Sequence, residues 1–203
     1  IKTASTALTS PRTDFLLIDK AELHSIHEQN HLKKLLPFLG ADCVFDVGAN
    51  EGQYAEMLRK KVGFEGTIIS FEPNPEAASI LRVKAQYDDL WHVEEVAVAE
   101  QDGWLDFNIM QGAQFSSLSR PRRDETSLFN EKNVVKRTSK VRSETLSSAF
   151  ERLEQKLEFK KPFLKLDSQG YDTRIVNSAG EKIRRFCGLQ SELSFKRIYD
   201  DSI

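Results

Sequence analysis

The stretch best equipped for chemistry in this chain is Asp46-Val47-Gly48-Ala49-Asn50-Glu51-Gly52. It follows the apolar run from Cys43 to Phe45, so it reads as the turn leaving a buried strand and opening a helix. Gly48 permits a sharp turn, and Gly52 lets backbone lie close to a ligand. A helix opening there presents N–H groups and its positive end to a carboxylate or phosphate. Glu72 stands 24 residues after Gly48, at the end of the next apolar run and just before Pro73. A carboxylate in that position can accept hydrogen bonds from both hydroxyls of a ribose. Farther along, Lys165 and Asp167 are two residues apart in an apolar run, and so share one strand face. A lysine in such a run is costly unless paired, which predicts Lys165 as the charge partner of Asp167.

The loop also says which nucleoside ligand it does not suit. Asn50 stands where the dinucleotide fingerprint needs its second glycine, and no phosphate loop of the G-x-x-x-x-G-K-S/T kind occurs. A nicotinamide-dependent oxidoreductase is therefore disfavoured. A loop headed by an acid and lacking a pyrophosphate cradle suits a ligand that carries an ammonium and a carboxylate. The methionine end of S-adenosylmethionine is such a ligand, with Asp46 facing the ammonium and the helix start facing the carboxylate.

These residues need a scaffold that brings them to one edge. Residues 14–39 carry leucines and isoleucines at three- and four-residue spacings and predict a helix closed by Gly40. Residues 43–47, 66–72 and 91–99 predict buried strands, separated by helices over 53–61 and 76–86. Strand and helix alternating at this pace imply βαβ units, right-handed crossovers and a parallel sheet. A strand over 104–110, another over 134–142, a helix over 144–157, a strand over 163–167, a helix over 171–184 and a last strand within 186–195 complete the expectation.

Four segments in order, DVGANEGQY, ISFEPNP, LKLDSQGYD and LQSELSF, resemble the FkbM family of S-adenosylmethionine-dependent methyltransferases over residues 43–199. The resemblance implies an α/β, Rossmann-like class I methyltransferase fold, a mostly parallel sheet with helices on both faces. It implies O-methylation of a sugar or natural-product hydroxyl, with S-adenosyl-L-methionine as cofactor. By position, Asp46, Gly48, Ala49, Asn50 and Gly52 would form the cofactor loop. Glu72 would hold the ribose, Pro73 would shape the turn beside the adenosine, and residues 95–97 would lie near the adenine. Ser116 and Ser117 match a hydroxyl-rich element near the family's active site and are candidate substrate contacts. Where the family has Asp-Val-Glu-Gly-Tyr/Phe-Glu, this chain has Asp167-Ser168-Gln169-Gly170-Tyr171-Asp172, with an amide in place of one carboxylate. The fold normally closes with a further helix and an antiparallel strand pair. Their apparent lack divides the chain into a lead-in and helix, 1–40, and a C-terminally incomplete methyltransferase domain, 41–203.

An alcohol is a poor nucleophile until its proton is taken. Asp167 is the expected base or hydroxyl-orienting group, Lys165 its partner, and Glu192 the second candidate. The three could equally form a structural polar network beneath the site. Another class stays open: a catalytically silent module that binds the cofactor or a nucleoside and serves as a partner domain.

Composition narrows the partners. The chain has 203 residues with 29 Lys plus Arg against 31 Asp plus Glu, too balanced for nucleic acid as the main partner. No apolar run approaches the ~18 residues of a membrane span. Cys43 and Cys187, both in apolar stretches, read as reduced thiols of a cytoplasmic protein. His24, His27 and His31 share a helical face, but nothing nearby completes a ligand set, so no metal site is expected. The basic excess over residues 120–142 would suit an acidic acceptor, although a solvated loop is the simpler reading. The expected partner is a small-molecule or carbohydrate acceptor.

Overall fold

The computed structural model describes residues 25–110, 135–168 and 170–191. Helix α1 spans Ile26–Leu39 and ends at Gly40, whose left-handed φ of 65° closes the helix onto the carbonyls of Leu36 and Pro37. Strand β1, Cys43–Val47, is buried along its whole length. Helix α2, Gln53–Met57, runs into a π-helical turn at Leu58–Val62 and closes at Gly63. Strand β2 is Thr67–Phe71, helix α3 is Pro75–Ala85, strand β3 is Trp91–Glu94 and strand β4 is Ala97–Ala99. Strands β5, Gly103–Met110, and β6, Val135–Thr145, form an antiparallel pair. Helix α4 is Leu146–Lys156, strand β7 is Pro162–Leu166, helix α5 is Asp172–Ser178 and strand β8 is Gly188–Ser191.

The main sheet has five strands in the order β3-β2-β1-β7-β8, all parallel. Helices pack on both faces, and the fold is the α/β, Rossmann-like one. A continuous apolar run can serve both faces, as strands buried on both sides require. Phe45, Val47, Ile69, Phe71, Leu164 and Leu166 meet Leu146, Phe150 and Leu153 of α4 and Ile175 of α5. Val44, Ile68 and Phe163 meet Leu32 and Leu36 of α1, Ala55 and Leu58, and Leu81 of α3. Each fully buried Phe or Leu of these layers stabilises the fold by roughly 1.5–3 kcal/mol.

Three expectations change. The strand expected over 91–99 is two strands in two sheets. A tight turn, with Val96 N donating to Glu94 O at 3.0 Å, sends β4 away to pair with β6 in a second, three-stranded sheet of order β4-β6-β5. Only Trp91 of β3 is buried whereas β4 is buried throughout, and Glu94 and Glu95 stand at the break between them. The helix expected over 171–184 stops at Ser178 and resumes as a 3₁₀ segment, Gly180–Arg185, because Gly180 adopts a left-handed φ of 52°. The strand expected over 134–142 runs to Thr145, whose hydroxyl then caps α4 by accepting from Ser148 N.

Candidate functional site

The chain leaves β1 toward β2 on one side and later returns as β7 on the other, so the loops after β1 and β7 part and open a crevice at the carboxyl ends of the strands. The crevice is knitted together by backbone. Gly48 N and Ala49 N both donate to Phe71 O at 3.1 Å, and Asp167 N donates to Val47 O at 3.0 Å. Gly48 has φ 80°, and a Cβ there would lie 2.0 Å from Asp167 O. Gly48 is thus required by the contact between the ends of β1 and β7. Gly52, with φ 86°, answers a different demand from the ligand approach expected of it: a Cβ there would lie 2.5 Å from Leu81 Cδ1 and 2.9 Å from the Trp91 ring. It lets the start of α2 sit tightly on α3 and β3.

Glu72 clamps two loops. Its Oε2 accepts from Asn50 N and its Oε1 from Asn74 N, each at 2.8 Å. Burial pushes the carboxyl up to about 7, against the pull of those two N–H donors. Asn74 in turn caps α3, accepting from Glu76 N at 3.1 Å, and Pro75 supplies the first helical residue. Asn50 takes the left-handed conformation, φ 48°, which asparagine tolerates better than most residues. Among the described residues no donor meets its buried Oδ1.

Behind the loops a polar row crosses the sheet. In register, Ser70 lies beside Asp46, Asp46 beside Lys165 and Lys165 beside Gln190. Trp91 Nε1 donates to Ser70 Oγ at 3.0 Å, and Ser70 Oγ donates to Asp46 Oδ2 at 3.3 Å. Lys165 Nζ stands 3.1 Å from Asp46 Oδ1, an ion pair without hydrogen-bond alignment, and 3.8 Å from Asp167 Oδ2. The same ammonium lies over the Tyr54 ring, 5.0 Å from its centroid. Tyr54 Oη donates to Gln190 Oε1 at 2.9 Å, and Gln190 Nε2 donates to Glu28 at 2.6 Å. Burial, with Asp46 and Glu28 nearby, raises the Tyr54 hydroxyl above the ordinary phenol range.

The row gives two expected site residues their partners, and Lys165 meets Asp167 as its spacing implied. Asp46 is fully buried, ion-paired with Lys165 and accepting from Ser70 Oγ. Lys165 stands closer to Asp46 than to Asp167, because the strand opposite it in register is β1.

The cleft itself, about 420 Å³ with its open mouth, is lined by Gly48, Glu72, Pro73, Asp167 and Ser168 on its polar side. Val96, Ala97, Val98, Phe107 and Tyr171 make the apolar side. Of the expected adenine neighbourhood, Val96 and Ala97 line the cleft, while Glu95 turns outward to Arg82 at 2.5 Å. Tyr171 Oη is held by Glu100 at 2.8 Å.

Comparison with protein families matches residues 46–200 to the methyltransferase FkbM domain. The chain belongs to the FkbM methyltransferase family. The match opens on Asp46, at the end of β1, and takes in both loops clamped by Glu72. Among solved structures, the chain is similar to methyltransferase FkbM from Methylobacillus flagellatus KT, with 12% identity and a TM-score of 0.42. That similarity covers 70% of this chain and 30% of the other. Comparison with curated proteins returns no match.

Within the FkbM domain the expected residues fall into two groups. Gly48, Glu72, Pro73 and Asp167 come together on the cleft wall, with Ala49 and Asn50 in the adjoining loop. Asp46 and Lys165 lie beneath it. Ser116, Ser117, Glu192, Gln169 and His24 lie outside the described residues. Among the described residues no group of three His, Cys, Asp or Glu side chains could hold a metal ion, and no helix is long and apolar enough to cross a membrane. Asn74 and Tyr171 lie within the ISFEPNP and LKLDSQGYD segments without a role expected of either, although Asn before Pro at a helix start is a capping signal. Phe107, with Trp104 and Phe115 an aromatic that could line an acceptor pocket or simply be core, lines the cleft.

Proposed function

We propose that this chain is an S-adenosylmethionine-dependent O-methyltransferase acting on a hydroxyl of a sugar or natural product. The observation that carries the reading is the Glu72 clamp. The clamp leaves each carboxylate oxygen a lone pair for a ribose hydroxyl and holds the Asn50 loop beside it, with a buried Oδ1 that no donor among the described residues meets. The residues present fit the cofactor. Glu72 would take the ribose and Asn50 Oδ1 the ammonium. Pro73, Val96 and Ala97 would flank the adenine.

When bound, the cofactor would supply an electrophilic methyl group, its bond to the sulfonium sulfur breaking as S-adenosylhomocysteine leaves. Asp167, at the cleft wall, accepts the proton that the attacking hydroxyl gives up as its oxygen forms the new bond to carbon. Lys165, shared between Asp46 and Asp167, holds a positive charge beside that carboxylate and fixes where it points. The apolar wall of Val98, Phe107 and Tyr171 excludes water from this end of the cleft.

The test is release of S-adenosylhomocysteine from S-adenosylmethionine across a panel of sugars and natural-product alcohols. Release that requires one class of acceptor is expected. Cofactor binding with no release for any acceptor would instead identify a silent module.

A further inference from the structure

Asp172 is a buried carboxylate that the chemistry above does not use. It opens α5, yet its side chain is not spent on that helix. Oδ1 accepts from Ser168 N at 3.0 Å and from Ser168 Oγ, and Oδ2 accepts from Ser191 Oγ at 2.5 Å. Ser168 follows Asp167 directly and lines the cleft with it. Ser191 ends β8, which lies next to β7 in the sheet. A single carboxylate therefore joins the carboxyl ends of two adjacent strands at the crevice. Three donors converge on it away from water, where charge-assisted hydrogen bonds are strongest.

We infer that Asp172 is a positioning residue that fixes the Asp167–Ser168 corner of the cleft by tying it to the end of β8. The corner is also held by Asp167 N on Val47 O, at its root, by Lys165 beside the Asp167 carboxylate and by Tyr171 N on Ser168 O at 3.3 Å, while the N–H and hydroxyl of Ser168 itself are met by Asp172. With Asp172 in place the corner has one conformation, and the cleft has one width between Asp167 and the Glu72 loop. The role rests on the reading of this cleft as the cofactor and acceptor cleft.

The test compares wild type with Asp172→Asn, Asp172→Ala and Ser191→Ala. The first readout is affinity for S-adenosylhomocysteine by calorimetry, at a temperature where circular dichroism finds every variant folded. Asp172→Ala is expected to weaken binding about tenfold. Asp172→Asn should return it to within about threefold, because the amide oxygen still accepts from Ser168 and the amide nitrogen can donate to the Ser191 hydroxyl. Ser191→Ala should fall between the two. A residue that merely stabilises the fold would lower the melting temperature and leave the affinity of the folded protein alone. Folded Asp172→Ala binding within twofold of wild type overturns the inference, and so does Asp172→Asn binding as weakly as Asp172→Ala.

The second readout needs no ligand. Amide hydrogen exchange at Ser168 should quicken at least tenfold in Asp172→Ala while the amides of β1 and β2 keep their protection. Should wild type fail to bind S-adenosylhomocysteine, the functional reading fails by itself. The exchange data then decide the positioning role alone, with unchanged Ser168 exchange overturning it.

Discussion

Replacing Gly48 by alanine tests whether the ends of β1 and β7 are pressed together as described. The added Cβ would sit 2.0 Å from Asp167 O, more than 1 Å inside an ordinary contact, and its neighbour is backbone that cannot rotate away. Three costs combine. Overpacking of this kind costs about 1–3 kcal/mol. A non-glycine residue held at the φ of 80° adds about 1–2 kcal/mol. If the strands part to relieve the clash, the 3.0 Å bond from Asp167 N to Val47 O goes, at about 1 kcal/mol. The sum is about 3–6 kcal/mol, a large share of the 5–15 kcal/mol typical of a domain. At about 2–4 °C per kcal/mol for a domain of this size, the melting temperature should fall by about 6–24 °C. Gly63→Ala is the control. Its φ is 78°, nearly that of Gly48, but nothing lies within 4 Å of the added atom, so it incurs the backbone cost alone. Urea denaturation of the two variants at one pH measures the difference. A Gly48→Ala cost no greater than that of Gly63→Ala would refute the tight junction.

Three further outcomes follow from the same geometry. Burial holds Glu72 up to about 7 against an ordinary 4.5, so the fold prefers it neutral. The stability this confers is complete below about pH 4.5 and is lost as pH rises through about 7. Wild type should therefore lose about 3 kcal/mol relative to Glu72→Gln between pH 4.5 and 8.5 in urea titrations, and parallel pH profiles would contradict it. Lys165→Met strands the buried Asp46 without its countercharge and should cost about 3–5 kcal/mol, while the double variant with Asp46→Leu recovers most of that; additive losses in a double-mutant cycle would mean the pair is not coupled. Asp167→Asn should abolish methyl transfer with affinity for S-adenosylhomocysteine kept within about threefold, whereas full turnover would remove Asp167 as the base.

The parts of this fold that were legible are those written in short apolar runs. Strands β1, β2 and β7 are buried on both faces, so Cys43–Val47, Thr67–Phe71 and Pro162–Leu166 stand out as mostly apolar segments that each carry one residue of the polar row, Asp46, Ser70 and Lys165. The loop between Gly48 and Gly52 was legible because left-handed backbone leaves few residue choices, and glycine and asparagine fill all of them. What stayed hidden was set by register between distant segments. That Lys165 and Asp167 share a face follows from spacing, but that Asp46 lies directly opposite Lys165 follows only from how β1 and β7 align. Gln190 and Tyr54 join the same row from 136 residues apart, a distance no local pattern can span. The second sheet was missed for a similar reason: Glu94 and Glu95 interrupt the run after β3, but only the pairing of β4 with β6 shows that the two strands belong to different sheets.

Calorimetric titration of S-adenosylhomocysteine into the protein, with NAD as the control, tests the central claim most directly. The Glu72-clamped cleft predicts saturable binding of S-adenosylhomocysteine alone, a stability gain of about 2.7 kcal/mol at 100 times the dissociation constant, and clear weakening in Glu72→Ala. Failure of S-adenosylhomocysteine to bind, or binding that Glu72→Ala leaves unchanged, would contradict it.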